Sequence, residues 1–322
     1  MAILVTGAAG FIGFHTAAAL LARGERVIGV DNLNDYYDPE LKKARLAQLT
    51  HPKFTFYQGD VADRAAMMRF ASPDLLHIVH LAAQAGVRHS MVDPYSYVTS
   101  NVMGQVVMLE LARALPNLKH FVYASSSSVY GLNRELPFSE SDPVNQPSSL
   151  YAATKRSGEL ISHSYAHLFG IPQTGLRFFT VYGPWGRPDM AYFSFAKAIM
   201  AGEPIPLYDG GRLKRDFTYI DDIVTGILGA IYHPPKASEG LPNRVLNIGN
   251  HCSEEVLKLV RLLEQGLGKS AVIKDLPRPA ADVEETWANI GALHELTGFT
   301  PLTALEEGVG RFVEWYRKFH NC

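Results

Sequence analysis

Cysteine is scarce: Cys252 and Cys322 are the only two in 322 residues, and the second ends the chain. That excludes a disulfide scaffold and makes a reducing, cytoplasmic setting the expectation. Charge of one sign is also lacking, with 32 acidic residues against 30 basic ones. There is thus no electrostatic case for nucleic acid or an anionic membrane as partner. No apolar run is long enough to span a bilayer. The apolar N-terminus has no basic stretch ahead of it and reads as a strand, not a signal peptide. Internal repeats and low-complexity stretches are missing, and no residue cluster is assigned to a metal.

What the chain has is alternation. Short apolar runs at 3–6, 26–30, 54–58, 78–81 and 120–124 are separated by longer segments of helical periodicity, and runs at 174–179 and 245–248 extend the series. Repeated β–α alternation predicts an α/β fold with a doubly wound parallel sheet. Ligands on such sheets sit at the carboxyl ends of the strands. Those ends are small or polar here: Gly7, Asp31, Asp60, the LAA of 81–83 and the serines of 125–128. After residue 180 proline, glycine and aromatics become frequent, which predicts a smaller, loop-rich lobe interwoven with the first. The expected division is 1–178 with 219–250 for the sheet domain, and 179–218 with 251–322 for the substrate domain.

The segment AILVTGAAGFIG places Gly7, Gly10 and Gly13 between a strand and a helix, with Phe11 and Ile12 inside the turn. Such a turn lets backbone approach a pyrophosphate, which faces the unpaired N–H groups of the helix start. Asp31 follows 24 residues after Gly7, at the end of the second strand. A carboxylate there accepts hydrogen bonds from ribose hydroxyls and repels a 2′-phosphate, which favours NAD over NADP.

Tyr151 and Lys155 stand at i and i+4, on one helix face. A phenol beside an ammonium can serve as a base once its pKa falls from about 10 toward 7, a change of roughly 4 kcal/mol. The same spacing also occurs as a solvated surface pair. The serine run 125–128, at a strand end, adds hydroxyls able to hydrogen-bond a sugar or the tyrosine oxygen; by itself it is equally a serine-rich turn.

The glycine turn, a serine cluster before VYG and YxxxK, in this order, resemble the extended branch of the short-chain dehydrogenase/reductase superfamily, from Ala2 into the last helix. The resemblance implies a Rossmann domain for NAD and a smaller nucleotide-sugar domain. It implies that Ser126, Tyr151 and Lys155 are catalytic, with Ser128 beside them, and that Lys155 also bonds the nicotinamide ribose. Asn32, Asp60, Val61, Leu81, Ala82, Ala83 and Asn101 become adenine or ribose contacts. The apolar helices at 102–115 and 152–169 resemble the interface of a homodimer.

Members of this branch oxidise a nucleotide sugar at C-4 and differ in the fate of the 4-keto sugar. Dehydratases carry Asp-Glu before VYG and decarboxylases a glutamate; here the positions are Ser127 and Ser128. Epimerisation remains. The strings DNLNDYYDPELKKARL and RFFTVYGPWGRPDMAYFSFAKAI resemble UDP-glucuronate 4-epimerases, with Thr180 where galactose epimerases have asparagine. An arginine fork matches a uronate carboxylate. Arg187 is the candidate, Arg88 the second, and Thr180, Ser127 and Ser128 are hydroxyl donors; Arg187 could instead make an interlobe ion pair. By family pattern Arg215 and Arg278 pair with the diphosphate, Tyr208 stacks near uracil and Asp282 meets the uridine ribose, although PAAD replaces the usual PGD. A neutral UDP-sugar epimerase, a CO₂-releasing lyase and a non-catalytic NAD-binding sensor stay open as alternatives.

Overall fold

The computed structural model describes residues 2–278 and 283–322. In chain order the strands are β1 (Ala2–Thr6), β2 (Arg26–Asp31), β3 (Phe54–Gln58), β4 (Leu75–His80), β5 (His120–Ser126), β6 (Gln173–Phe178), β7 (Thr180–Tyr182), β8 (Pro204–Tyr208), β9 (Lys214–Arg215), β10 (Phe217–Tyr219), β11 (Asn243–Ile248), β12 (Glu254–Glu255) and β13 (Val272–Leu276). The helices are α1 (Phe11–Ala22), α2 (Pro39–Gln48), α3 (Arg64–Met68), α4 (Pro94–Tyr97), α5 (Gly104–Ala114), α6 (Leu150–Phe169), α7 (Ala191–Ala201), α8 (Ile220–Ile231), α9 (Val256–Leu267), α10 (Gly291–Thr297) and α11 (Leu305–His320).

Seven strands form one parallel sheet in the order β11-β6-β5-β4-β1-β2-β3. Successive side chains of a strand point to opposite faces, and both faces of this sheet are covered. Ile3 and Val5 enter a core with Phe14 and Leu20 of α1 and Ile227 and Ile231 of α8. Ala2 and Leu4 enter the other, with Met67 of α3 and Val107 and Leu111 of α5. Burial on both sides is why these strands read as continuous apolar runs. The order reverses between β4 and β1, and at such a point the loops diverge and open a crevice.

All seven expected strands are present. The fourth runs over Leu75–His80 and not 78–81: the Leu81 amide makes the last bond to β1, to Thr6 O at 3.3 Å, and the Ala82 amide turns to the side chain, Thr6 Oγ1 at 3.1 Å. The helix expected from 102 is preceded by a π-helical turn, Val98–Met103. Beyond β6 the chain forms three two-stranded sheets, β7 with β10, β8 with β13 and β9 with β12. The first core continues without a break into α7, α9 and α11.

Helix starts follow local chemistry. The Asp38 side chain accepts from the Glu40 amide ahead of α2, with Pro39 in the first turn, and Ser149 accepts from the Ala152 amide ahead of α6. Gly170, in the left-handed region, ends α6.

One buried cation joins α2 to two distant loops. Arg45, fully buried, donates Nη1 to Ala9 O and to Tyr37 Oη, Nε to Trp185 O and Nη2 to Gly186 O. The glycine turn and the 183–187 loop therefore hang on one guanidinium. Arg45→Met should lower stability by about 3 kcal/mol or more, since three backbone carbonyls lose their donor at about 1–3 kcal/mol each. Urea unfolding measures this, and a loss near zero would show that other contacts hold the loop.

Candidate active site

Over the carboxyl ends of the strands lies a cleft of about 900 Å³. Its cofactor-sized end is built by the glycine turn. Gly7 has φ +71°, and a Cβ on Gly13 would lie 2.0 Å from Gly7 O. Only glycine lets α1 start this close to β1, which leaves Gly10, Phe11 and Ile12 on the cleft wall. Asp31, at the end of β2, accepts the Ala9 amide on Oδ2 at 3.1 Å and the Leu33 amide on Oδ1 at 2.9 Å. Its carboxylate is thereby fixed at the rim. Asn32 donates Nδ2 to Asp60 Oδ2 at 2.9 Å, and Asp60 also caps the Ala62 amide. Asp31, Asn32, Asp60, Val61, Leu81, Ala82 and Ala83 all line the cleft. These residues fit a dinucleotide: a close-approach turn for phosphates, then an acid for a ribose.

Asn101 is placed otherwise. It sits behind the wall, in the π-helical turn. It accepts the Gln84 amide on Oδ1 and donates Nδ2 to Gln84 O, at 2.9 Å each, and to Thr154 Oγ1 at 3.1 Å. These bonds tie Gln84 to α6.

At the middle of the cleft α6 meets the end of β5. Lys155 is buried and donates Nζ to Ala124 O at 2.8 Å; burial, then the charge of Arg187, lowers its pKa to about 8. Ser126 and Ser128 hydroxyls hydrogen-bond each other, and Ser126 Oγ accepts the Ser128 amide. The Tyr151 phenol is raised by burial, opposed by the charge of Arg187 and a hydrogen bond from Ser126, while Asp189 adds to the rise. The tyrosine is thus not a preformed base. The charge of Arg187 is the main influence favouring its ionised form. Below this group His80 is buried, bonded to Thr6 Oγ1 at 2.7 Å, and held neutral by a pKa pushed down to about 3.

Ser127, Ser128, Thr180, Arg187, Tyr208 and Arg215 line the same cleft. Arg187 forms a two-point ion pair with Asp189, Nε to Oδ1 at 3.1 Å and Nη2 to Oδ2 at 2.8 Å. Arg88 lines the cleft too, and its guanidinium stacks 4.7 Å over the Tyr208 ring and donates to Tyr208 Oη at 3.1 Å. The second candidate for the uronate clamp therefore lies with the residue expected near uracil. Arg215 donates to Lys214 O and Glu284 O. Arg278 is not among the residues lining the cleft, and its half-exposed guanidinium pairs with Glu284 at 3.3 Å. Asp282 lies outside the described residues.

Residues 3–249 match the family of NAD-dependent epimerases and dehydratases. The chain belongs to this family. It is 49% identical to UDP-glucuronate 4-epimerase 3 of Arabidopsis thaliana, over 99% of this chain and 77% of that one. It is 47% identical to a probable UDP-glucuronate 4-epimerase of Rhizobium meliloti, over 98% and 97%. Among solved structures, it superposes on the UDP-glucuronic acid 4-epimerase of Bacillus cereus, crystallised with UDP-glucuronic acid and NAD, with a TM-score of 0.90. That match is 34% identical and covers 99% of this chain and 100% of the other. Within the family's fold, no helix among the described residues is long and apolar enough to cross a membrane, and no group of three potential metal ligands is found among them.

Several site residues escape a reading of the sequence. Tyr36 lines the cleft and donates its hydroxyl to Asp189 Oδ2 at 3.2 Å. Tyr97, fully buried, donates to the carbonyls of Ala85 and Gly86 and packs edge-on against the Tyr151 ring, 6.0 Å between centroids. Glu159, one turn beyond Lys155, accepts Ser125 Oγ at 2.6 Å and a two-point pair from Arg177 at 2.9 Å, with both charges nearly unexposed. Burial raises the Glu159 carboxyl, but the bonds from Arg177 outweigh that and hold it below the ordinary range. A heptad or motif scan does not find these; Glu159 alone has a signal, being in phase with Tyr151 and Lys155 on α6.

Glu159→Leu strands the Arg177 charge and should cost about 3–5 kcal/mol. Adding Arg177→Met removes the stranded charge and should recover much of the loss. Chemical unfolding of the single and double variants checks this, and a double variant no more stable than Glu159→Leu would contradict it.

Proposed function

We propose that this protein interconverts UDP-glucuronate and UDP-galacturonate at C-4. The observation that carries this reading is Arg187, a guanidinium on the cleft wall whose charge reaches the Tyr151 phenol. A sugar carboxylate meeting Arg187 lies close to the carbon whose hydroxyl Tyr151 would deprotonate. The hydroxyls of Ser127, Ser128 and Thr180, on the same wall, suit the remaining carboxylate lone pairs. The names and ligands of the relatives above support the same substrate.

NAD, when bound, supplies a hydride acceptor that is restored within each turnover. Tyr151 takes the C-4 hydroxyl proton and later returns it, after the sugar has turned its other face. Ser126 donates a hydrogen bond to the phenolate oxygen, which favours the charged form. Lys155, anchored on Ala124 O, keeps an ammonium beside the same helix face. Arg215 holds the diphosphate, and Tyr208 with Arg88 stacked on it forms the uracil end. Arg278, paired with the exposed Glu284, is the second candidate for the diphosphate. The 4-keto uronate is a β-keto acid, prone to lose CO₂. Elimination or decarboxylation by an added acid has no carboxyl group at positions 127 and 128, which are serines. Residues 1–178 and 219–250 would carry the cofactor, and 179–218 and 251–322 the nucleotide sugar.

UDP-glucuronate incubated with the NAD-loaded protein should give UDP-galacturonate by NMR, and Tyr151→Phe should give none while still binding both ligands. Arg187→Ala should weaken UDP-glucuronate by about 1.5–3 kcal/mol, the worth of charged hydrogen bonds, and hardly affect UDP. UDP-galactose from UDP-glucose with no turnover of the uronate would instead make this a neutral-sugar epimerase.

We also infer a homodimer through α5 and α6. Met103, at the end of the π-helical turn, and Leu160 and Leu168 on α6 are all more than half exposed, and apolar side chains gathered on one helix pair favour association. Sedimentation should give twice the chain mass, and Leu160→Arg with Leu168→Arg should give a monomer; a wild-type monomer would sink the inference.

A further inference from the structure

The cleft carries a carboxylate of its own beside the arginine assigned to the substrate's. Asp189 is two residues along from Arg187 and takes the Nε–Nη2 edge of its guanidinium at two points, 3.1 and 2.8 Å. Both side chains are about a quarter exposed, facing the cleft, 24% and 27%. The hydroxyl of Tyr36, from the segment between β2 and α2, donates to Asp189 Oδ2 at 3.2 Å. Asp189 therefore has a second partner that does not depend on Arg187. The Arg187 guanidinium also meets Met190 Sδ at 3.5 Å, which offers no charge.

We propose that Asp189 is a specificity residue that shares Arg187 with the carboxylate of the sugar, so that the uronate is recognised by its charge yet held loosely enough to turn over between the two hydride transfers. This rests on the C-4 epimerase reading above. Charge counting gives the reason. A guanidinium facing a single carboxylate makes a neutral pair, and a second carboxylate brought to it adds a like charge a few ångströms from the first. Asp189 thus lowers the affinity of Arg187 for any uronate, in either ring orientation. A tight clamp would bind the two uronates well and resist the rotation that lies between them, so lost affinity returns as rate. The hydroxyl of Tyr36 stabilises Asp189 whenever the sugar carboxylate draws Arg187 away. Neutral UDP-sugars have no group in this competition and are indifferent to Asp189.

The opposite role is also physically distinct. If Asp189 merely props Arg187 in place, removing its charge loosens the arginine and weakens uronate binding. The two roles differ in sign, and that makes the test decisive.

Calorimetry on the NAD-loaded protein would measure binding of UDP-glucuronate, UDP-galacturonate and UDP-glucose to wild type, Asp189→Asn, Asp189→Ser and Arg187→Ala, with turnover of UDP-glucuronate in parallel. Asp189→Asn should bind both uronates about fivefold more tightly, the effect of losing one partly exposed charge pair. It should leave UDP-glucose unchanged and turn over more slowly at saturation. Asp189→Ser should behave the same way, which guards against a defect peculiar to one variant. Unchanged or weaker uronate binding in both would overturn the sharing role. Arg187→Ala separates the substrate from the sharing. If it weakens only the uronates, the substrate reading stands whatever Asp189 does. If it weakens UDP-glucose equally, Arg187 is no carboxylate clamp and the substrate reading fails together with the role of Asp189.

Discussion

The buried pair between Glu159 and Arg177 decides where the reactive face of α6 meets the sheet. Arg177 belongs to β6, Ser125 to β5 and Glu159 to α6, and one carboxylate takes hydrogen bonds from both strands. Arg177 reaches on to Tyr130 Oη, which donates to Asn247 of β11. A slip of α6 by one residue would break the bonds from Ser125 and Arg177 to Glu159 and leave charge buried without a partner. Such errors cost several kcal/mol, comparable to a sizeable part of a domain's net stability. The register of Tyr151 and Lys155 against Ser126 is thus enforced from two turns away, by groups that need not touch substrate.

Each charged or titratable group in the cleft has a local partner. Lys155 faces a carbonyl, and burial lowers its pKa. Arg187 faces Asp189, Asp31 faces backbone amides, and His80 is held neutral. The phenol of Tyr151 stays protonated under burial alone. In the proposed reaction its ionisation would wait on the charges that cofactor and substrate bring. This gives a physical reason why a tyrosine, rather than a carboxylate, can wait in such a pocket.

Most of the fold can be read from the chain because its signals are local. A strand buried on two faces is a short apolar run, and the glycine turn and the Tyr–Lys spacing lie within a few residues. Asp31 is legible for the same reason, as the polar end of such a run. What is not legible joins distant segments. Arg88 meets Tyr208 across 120 residues and Tyr36 meets Asp189 across 153, and no periodicity announces either pair. Asn101 shows the converse. Its family pattern suggests a ligand contact, but the π-helical turn gives the side chain to the backbone of Gln84. Tyr36 and Asp189 both lie inside the strings that carry the family resemblance, so their position is visible in the sequence while their partnership is not.

Arg45 has a consequence for how this protein can change over generations. The loop carrying Arg187 hangs on the same guanidinium as the turn at Ala9. In the proposed scheme, substitutions at Tyr36, Arg187 or Asp189 would alter what the sugar end prefers, while the Arg45 anchor rests on other groups. A lineage could therefore drift between acidic and neutral sugars by a few exchanges on two surface segments, while the scaffold beneath stays the same. Any exchange at Arg45 would instead disturb both ends of the cleft in one step, leaving selection little room to separate them.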